Sequence, residues 1–171
     1  MSQTDFAITD SWDKVSHKIK KGRPYPIGAK KTFCLNNGQL VEAVLLDYRN
    51  DHAIFGFSAI IAPTLSVENF SNNGYGKLIK TTDLLFLPSA SEVFGELVRK
   101  TLPLNEGQLF AYFSDWEQRV RGYYGKPGGR RWLTRTRTTR ANGAFCVVKG
   151  NGQISSAQPC RTVGICPCFV V

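Results

Sequence analysis

After Glu117 the chain contains no aspartate or glutamate. Ten basic residues fall in those last 54 positions: Arg119, Arg121, Lys126, Arg130, Arg131, Arg135, Arg137, Arg140, Lys149 and Arg161. The first 117 residues carry 12 basic and 13 acidic side chains, so essentially all of the net charge of +9 lies in the C-terminal third. This absence argues against a conventional calcium site there, because hard cations need several oxygen ligands, carboxylates above all. It also makes an anionic partner, met at this end, the electrostatically favoured one.

Other scarcities narrow the field further. The longest apolar runs, around 53–62 and 84–88, are too short to span a bilayer, so no membrane insertion is expected. Met1–Asp10 is polar and acidic and lacks a charged-then-apolar pattern, which predicts no secretory signal. Five cysteines, Cys34, Cys146, Cys160, Cys166 and Cys168, are an odd set and do not read as a secreted disulfide framework. Synthesis in a reducing cytoplasm is expected. The two histidines, His17 and His52, stand apart. His52 beside Asp47 and Asp51 has no metal-ligand spacing and reads as a turn residue.

What remains is a globular composition, with 42% hydrophobic and 12% aromatic residues in 171. One domain over 1–171 is expected, with an N-terminal helix and connector (1–30), a middle of strands and helices (31–129) and a C-terminal sheet (130–171). Asp10 or Ser11 caps a helix with Trp12, Val15 and Ile19 at helical spacing and Gly22 as its stop. His17 and the neighbouring lysines fall mostly on its wet side. Residues 31–35 and 39–48 read as strands around Asn36-Asn37-Gly38, and 52–61 as a third strand buried on both faces. Residues 65–80 read as a long surface loop and 83–87 as a strand. Ser89 and Glu92 have capping-box spacing, which explains Glu92 better than acid catalysis does.

Leu109, Tyr112, Phe113, Trp116 and Val120 make a helical stripe of the kind that is usually core, with Glu117 and Arg121 placed to pair at i,i+4. Residues 123–129 read as a loop that feeds a small antiparallel sheet over 130–171. Cys166 and Cys168 are two apart, so on a strand their thiols share a face. A disulfide so close in sequence would be strained. Buried, inert thiols are the better reading, since neither a base nor a metal site accompanies them. No enzyme activity, metal or cofactor is predicted.

One ordered set of motifs goes beyond these local signals. It runs Leu85-Phe86-Leu87, Ser89-x-x-Glu92-Val93-Phe94-Gly95, Trp132-x-x-Arg135-Thr136, Phe145-Cys146-x-Val148, Gly152 and Gly164-x-x-Pro167-x-Phe169. This set resembles an uncharacterised domain family common in bacteriophages and prophages and present in bacterial surface proteins, as does the opening Ser11-Trp12-Asp13. The family's usual ending is Trp-Trp-x-Arg-Ser, Phe-Cys-x-Val and Gly-Val-Arg-Pro-x-Phe. Here Leu133 replaces its second Trp, Cys166 its Arg and Cys168 a small residue. The resemblance implies an α+β, C-type-lectin-like fold, with short helices packed around small antiparallel sheets and a C-terminal β-hairpin region. That fold is shared with formylglycine-generating enzymes and retroelement-diversified variable proteins. It also implies that the C-terminal strands display a ligand surface, with Trp132 and Phe145 in the core and Arg135 a structural arginine behind that surface.

The resulting expectation is a virion protein of a phage or prophage, in the tail, a fibre or a capsid decoration. Its expected ligand surface combines Arg135, Arg137, Thr138, Thr139, Arg140 and Asn142 with Ser155, Ser156, Gln158 and Arg161. Such residues are adaptable hydrogen-bonders, and arginine suits carboxylate and phosphate. Expected partners are a host cell-surface glycan, an anionic wall polymer or other virion proteins, and a homo-oligomer is compatible with this. Two readings of another class stay open: non-specific binding of nucleic acid through the basic residues, and a purely structural subunit without ligand.

Overall fold

The computed structural model describes residues 6–35, 38–66, 85–95, 107–126, 128–138, 143–158 and 162–171; for 62–66 and 162 it describes the backbone only. The chain is a mixed α+β protein, with two sheets and few helices among the described residues.

Helix α1, Trp12–Lys20, begins where the Ser11 hydroxyl accepts the Lys14 amide and stops before Gly22, whose φ of 66° suits the residue that ends a helix. Val15 and Ile19, four apart, are its buried residues. They pack on a sheet made of β1 (Lys30–Cys34), β2 (Leu40–Arg49), β3 (His52–Phe57) and β9 (Cys168–Val170) in the order β1-β2-β3-β9, all antiparallel. Trp12 meets Phe33, Phe55 and Phe169 edge-on at 5.2–5.4 Å, an arrangement that the ring quadrupoles favour. Lys31 is buried beside this cluster, with its ammonium bonded to the Asp10 carbonyl and lying over the Trp12 ring. Strand β3 is hydrogen-bonded on both edges and buried on both faces. Ala53 and Phe55 face the α1 side, while Ile54 faces the second sheet. His52 pairs with Arg49 across the turn formed by Asn50 and Asp51, where Asn50 has φ 53°.

The second sheet has the order β4-β8-β5-β6-β7, from β4 (Ala62–Ser66), β5 (Trp132–Arg137), β6 (Phe145–Val148), β7 (Ile154–Ala157) and β8 (Thr162–Ile165). Its pairs are antiparallel except β5 with β8, which run parallel with Trp132 opposite Gly164. The expectation of a self-contained antiparallel C-terminal sheet is therefore corrected in two respects: one pairing is parallel, and the closing strand β9 leaves to pair with β3. The reason lies in β3, whose outer edge would otherwise leave unpaired amides in the core.

Between the sheets, Val44, Leu46 and Ile54 meet Trp132, Cys146 and Val148, with Val93, Phe94, Phe110 and Phe113 filling the gap. The far face of the second sheet carries a smaller cluster of Leu87, Leu133, Phe145, Val147, Val163 and Ile165. Helix α2, Ala90–Phe94, has the expected capping box, with the Ser89 hydroxyl accepting the Glu92 amide and the Glu92 carboxylate accepting the Ser89 amide.

The aromatic stripe after Gly107 does not form one helix. It makes two single 3-10 turns, Ala111–Ser114 and Trp116–Arg119, separated by Asp115 in extended conformation. Asp115 causes the break, because its carboxylate accepts the Glu117 amide and so caps a new turn instead of continuing the old one. Tyr112 and Phe113 stay buried, whereas Trp116 is left 56% exposed. Arg121 does not pair with Glu117. It is buried, donates to the Gln118 and Val120 carbonyls, and lies over the Tyr112 and Phe113 rings. The loop expected at 65–80 starts as the end of β4 and otherwise lies outside the described residues, as does the start of the 83–87 strand. Phe86 forms a single antiparallel bridge with Cys168.

Candidate functional site

Of the ten residues expected at the ligand surface, Thr139, Arg140, Asn142 and Arg161 lie outside the described residues. Arg137, Thr138 and Gln158 come together at one end of the second sheet. Arg137 is in register with Phe145, and Phe145 with Ala157, the residue before Gln158. The exposed Arg137 guanidinium lies 5.2 Å from the centre of the Phe145 ring, a cation–π contact that holds the long side chain against the sheet. The Thr138 amide donates to Ala144, and the buried Thr138 hydroxyl has no hydrogen-bond partner among the described residues.

The two serines do not share a surface. Ser155 is in register with Val147 and Ser156 with Cys146, so alternation along β7 puts them on opposite faces. Ser155 joins Arg131, whose guanidinium reaches its hydroxyl at 3.3 Å. Ser156 lies on the face that carries Cys146 toward the other sheet.

Arg135 is turned inward. Its Nη1 donates to the Leu87 carbonyl and the Glu92 carboxylate, both at 2.7 Å. The next residue, Thr136, is buried and its hydroxyl accepts the Ala90 amide at 2.8 Å. A five-residue helix cannot hold itself in water, so the Arg-Thr pair on β5 supplies what α2 lacks. Arg135 is thus a structural clamp, the role that the resemblance implies for it, and its guanidinium is engaged here rather than at the ligand surface.

Cys166 and Cys168 are both buried. Burial pushes the Cys166 thiol up to about 12, with the Arg121 guanidinium opposing the shift. The Cys168 thiol is likewise raised by burial, and by the Glu92 charge nearby. Thiols so protonated are poor nucleophiles at neutral pH. Below its ordinary value of 9.0, the thiol is neutral in folded and unfolded chains alike. Stability from keeping Cys166 neutral is complete there and is lost as pH rises through 9 toward 12. Denaturant midpoints should fall steadily across that window. In native protein, Cys34 should react with a thiol reagent at once, while Cys166 and Cys168 label only on unfolding. Prompt labelling of either would refute their burial. Cys160 lies outside the described residues.

A second feature escaped the sequence reading. A cleft of about 600 Å³ opens beside the turn that joins β6 to β7, lined by Phe94, Trp116, Arg119, Asn151, Gly152, Gln153 and Ile154. Trp116 and Ile154 are exposed at its rim. Arg119 lies over the Phe94 ring at 5.4 Å and donates both Nε and Nη2 to the Phe113 carbonyl, at 3.2 and 2.9 Å. Burial lowers its pKa, with the Asp115 charge opposing. The only signal in the sequence was Trp116 at the end of the stripe, and helical periodicity assigned it to the core.

Fold and surface together define a two-sheet α+β protein with an inward clamp at Arg135, a basic end at Arg137 and an aromatic cleft at Trp116. Residues 56–171 match the model of a family described as a domain of unknown function, DUF6273, and the chain belongs to that family. The match begins within β3, so α1, β1 and β2 precede it. Comparison with curated proteins and with solved structures gives no match. Among the described residues, no group of three or more His, Cys, Asp or Glu side chains could hold a metal ion, and no helix is long and apolar enough to cross a membrane.

Proposed function

We propose that this protein is a ligand-binding component of a phage or prophage virion, with a C-type-lectin-like fold and no catalytic role. It contacts a host-surface polymer or another virion protein through the basic end of the second sheet. One observation carries the reading: Arg137 is exposed, braced on Phe145 and flanked by Thr138 and Gln158, in a 54-residue stretch without a single acid. A braced guanidinium loses less rotamer entropy on binding than a free one, and its planar fork matches carboxylate and phosphate. The two-sheet architecture with few helices is compatible with the lectin-like reading.

The test is a pull-down of the full chain with host envelopes and, separately, with DNA, each across a salt series. A variant combining Arg137→Ser, Arg140→Ser and Arg161→Ser runs beside it. Envelope capture that persists at moderate salt and falls at least about ten-fold in the variant is the expected result, equivalent to about 1.4 kcal/mol. DNA capture alone, fading steeply with salt, would replace this reading by non-specific nucleic-acid binding. Capture of neither would leave a structural subunit.

A further inference from the structure

We propose that the Trp116 cleft is a binding site for a carboxylated sugar ring, the chemistry of uronic and sialic acids. Trp116 is 56% exposed, while Tyr112 and Phe113 of the same segment are buried. An indole in that position is supported from below. Gly152 has φ 78°, and a Cβ there would lie 2.7 Å from the Trp116 carbonyl and 3.4 Å from its ring. Only glycine lets the turn close this tightly on the tryptophan, and the contact steadies the ring as a platform. A flat, amphipathic ring with one side at water suits the C–H face of a pyranose.

Charge complementarity selects the acidic class. Among the described residues, Arg119 is the one ionic side chain lining the cleft, and no carboxylate lines it. Two of its nitrogens are committed to the Phe113 carbonyl, while Nη1 makes no hydrogen bond to a described residue. The guanidinium is therefore held over Phe94, with Nη1 open among the described residues. Asn151 uses its carbonyl oxygen on the Gln153 amide at 3.3 Å, which leaves its side-chain NH2 for hydroxyl groups. Of the acids in the same segment, Asp115 and Glu117 are exposed, and Asp115 is occupied in capping the Glu117 amide. A volume of about 600 Å³ is in the range of small-ligand sites and accommodates one or two sugar rings.

This site rests on reading the chain as a ligand-binding protein, but it lies at the opposite end of β7 from Arg137. The test follows tryptophan fluorescence and heat on titrating the full chain with trigalacturonate, with its methyl ester and with sialyllactose, at physiological salt. Saturable binding of an acidic sugar is expected, with the ester about ten-fold weaker. Trp116→Ala should cost about ten-fold or more, whereas Lys20→Ser, exposed on α1, should leave the binding unchanged. Trp116 is exposed, so the variant should melt with the wild type. Absence of binding, equal binding by Trp116→Ala or preference for the ester would overturn the proposal. If envelope capture survives Trp116→Ala in that event, only the cleft falls and the broader reading stands.

Discussion

Replacing Trp132 with alanine is expected to destabilise the protein by about 3–5 kcal/mol, the range for emptying a large buried aromatic site. Trp132 is 1% exposed and lies in the cluster between the two sheets. It is also where three strands meet, opposite Val148 of β6 on one side and Gly164 of β8 on the other. Its indole N–H donates to the Arg119 carbonyl at 2.9 Å, and its ring lies 6.2 Å from Phe113. Alanine would lose the transfer energy of the ring, leave a cavity and strip the Arg119 carbonyl of its partner. Trp132→Phe separates these terms. It keeps most of the volume and should cost about 1–3 kcal/mol, from the lost hydrogen bond and imperfect filling. Denaturant titration with an unchanged slope would measure both. A cost below about 1 kcal/mol for Trp132→Ala would contradict this burial.

The second large effect is expected at Glu92. Glu92→Ala should cost about 2–3 kcal/mol, about 1 from the cap and the remainder from a half-buried arginine left without its carboxylate. One carboxylate oxygen, Oε2, accepts both the Ser89 amide and Arg135, each at 2.7 Å. The Arg135 and Glu92 side chains are 26% and 12% exposed, so solvent screens the pair only in part. Glu92→Gln keeps an acceptor for the cap but removes the charge, and it should cost about half as much. Combining Glu92→Ala with Arg135→Ala should cost less than the sum of the single changes, by about 1 kcal/mol or more. Strict additivity would show that the clamp contributes nothing.

The elements legible in the sequence are those whose causes lie within a few residues of each other. Ser11, Val15, Ile19 and Gly22 contain the start, buried face and end of α1. Ser89 and Glu92 contain the start of α2. The strand pair around 36–38 follows from turn residues and the buried third strand from its apolar run, while it is the family resemblance that implies Trp132 and Phe145 in the core. Where local signals conflicted, the reading failed. The stripe from Leu109 to Val120 has helical period, but Asp115 offers its carboxylate to the chain's own amides and breaks the run. Periodicity cannot register that competition, and it assigns Trp116 to the core.

Where charge of each sign falls, and where α1, α2 and the β1–β2 pair form, follow from the sequence alone. Those properties depend on composition and near neighbours. Tertiary structure alone decided that β9 completes the first sheet, that β5 runs parallel to β8, and that Arg135 faces Glu92 across 43 positions while Arg137 faces outward. Those outcomes depend on which backbone edge is left unpaired and which carboxylate is within reach once the sheets pack. No local pattern encodes either distance.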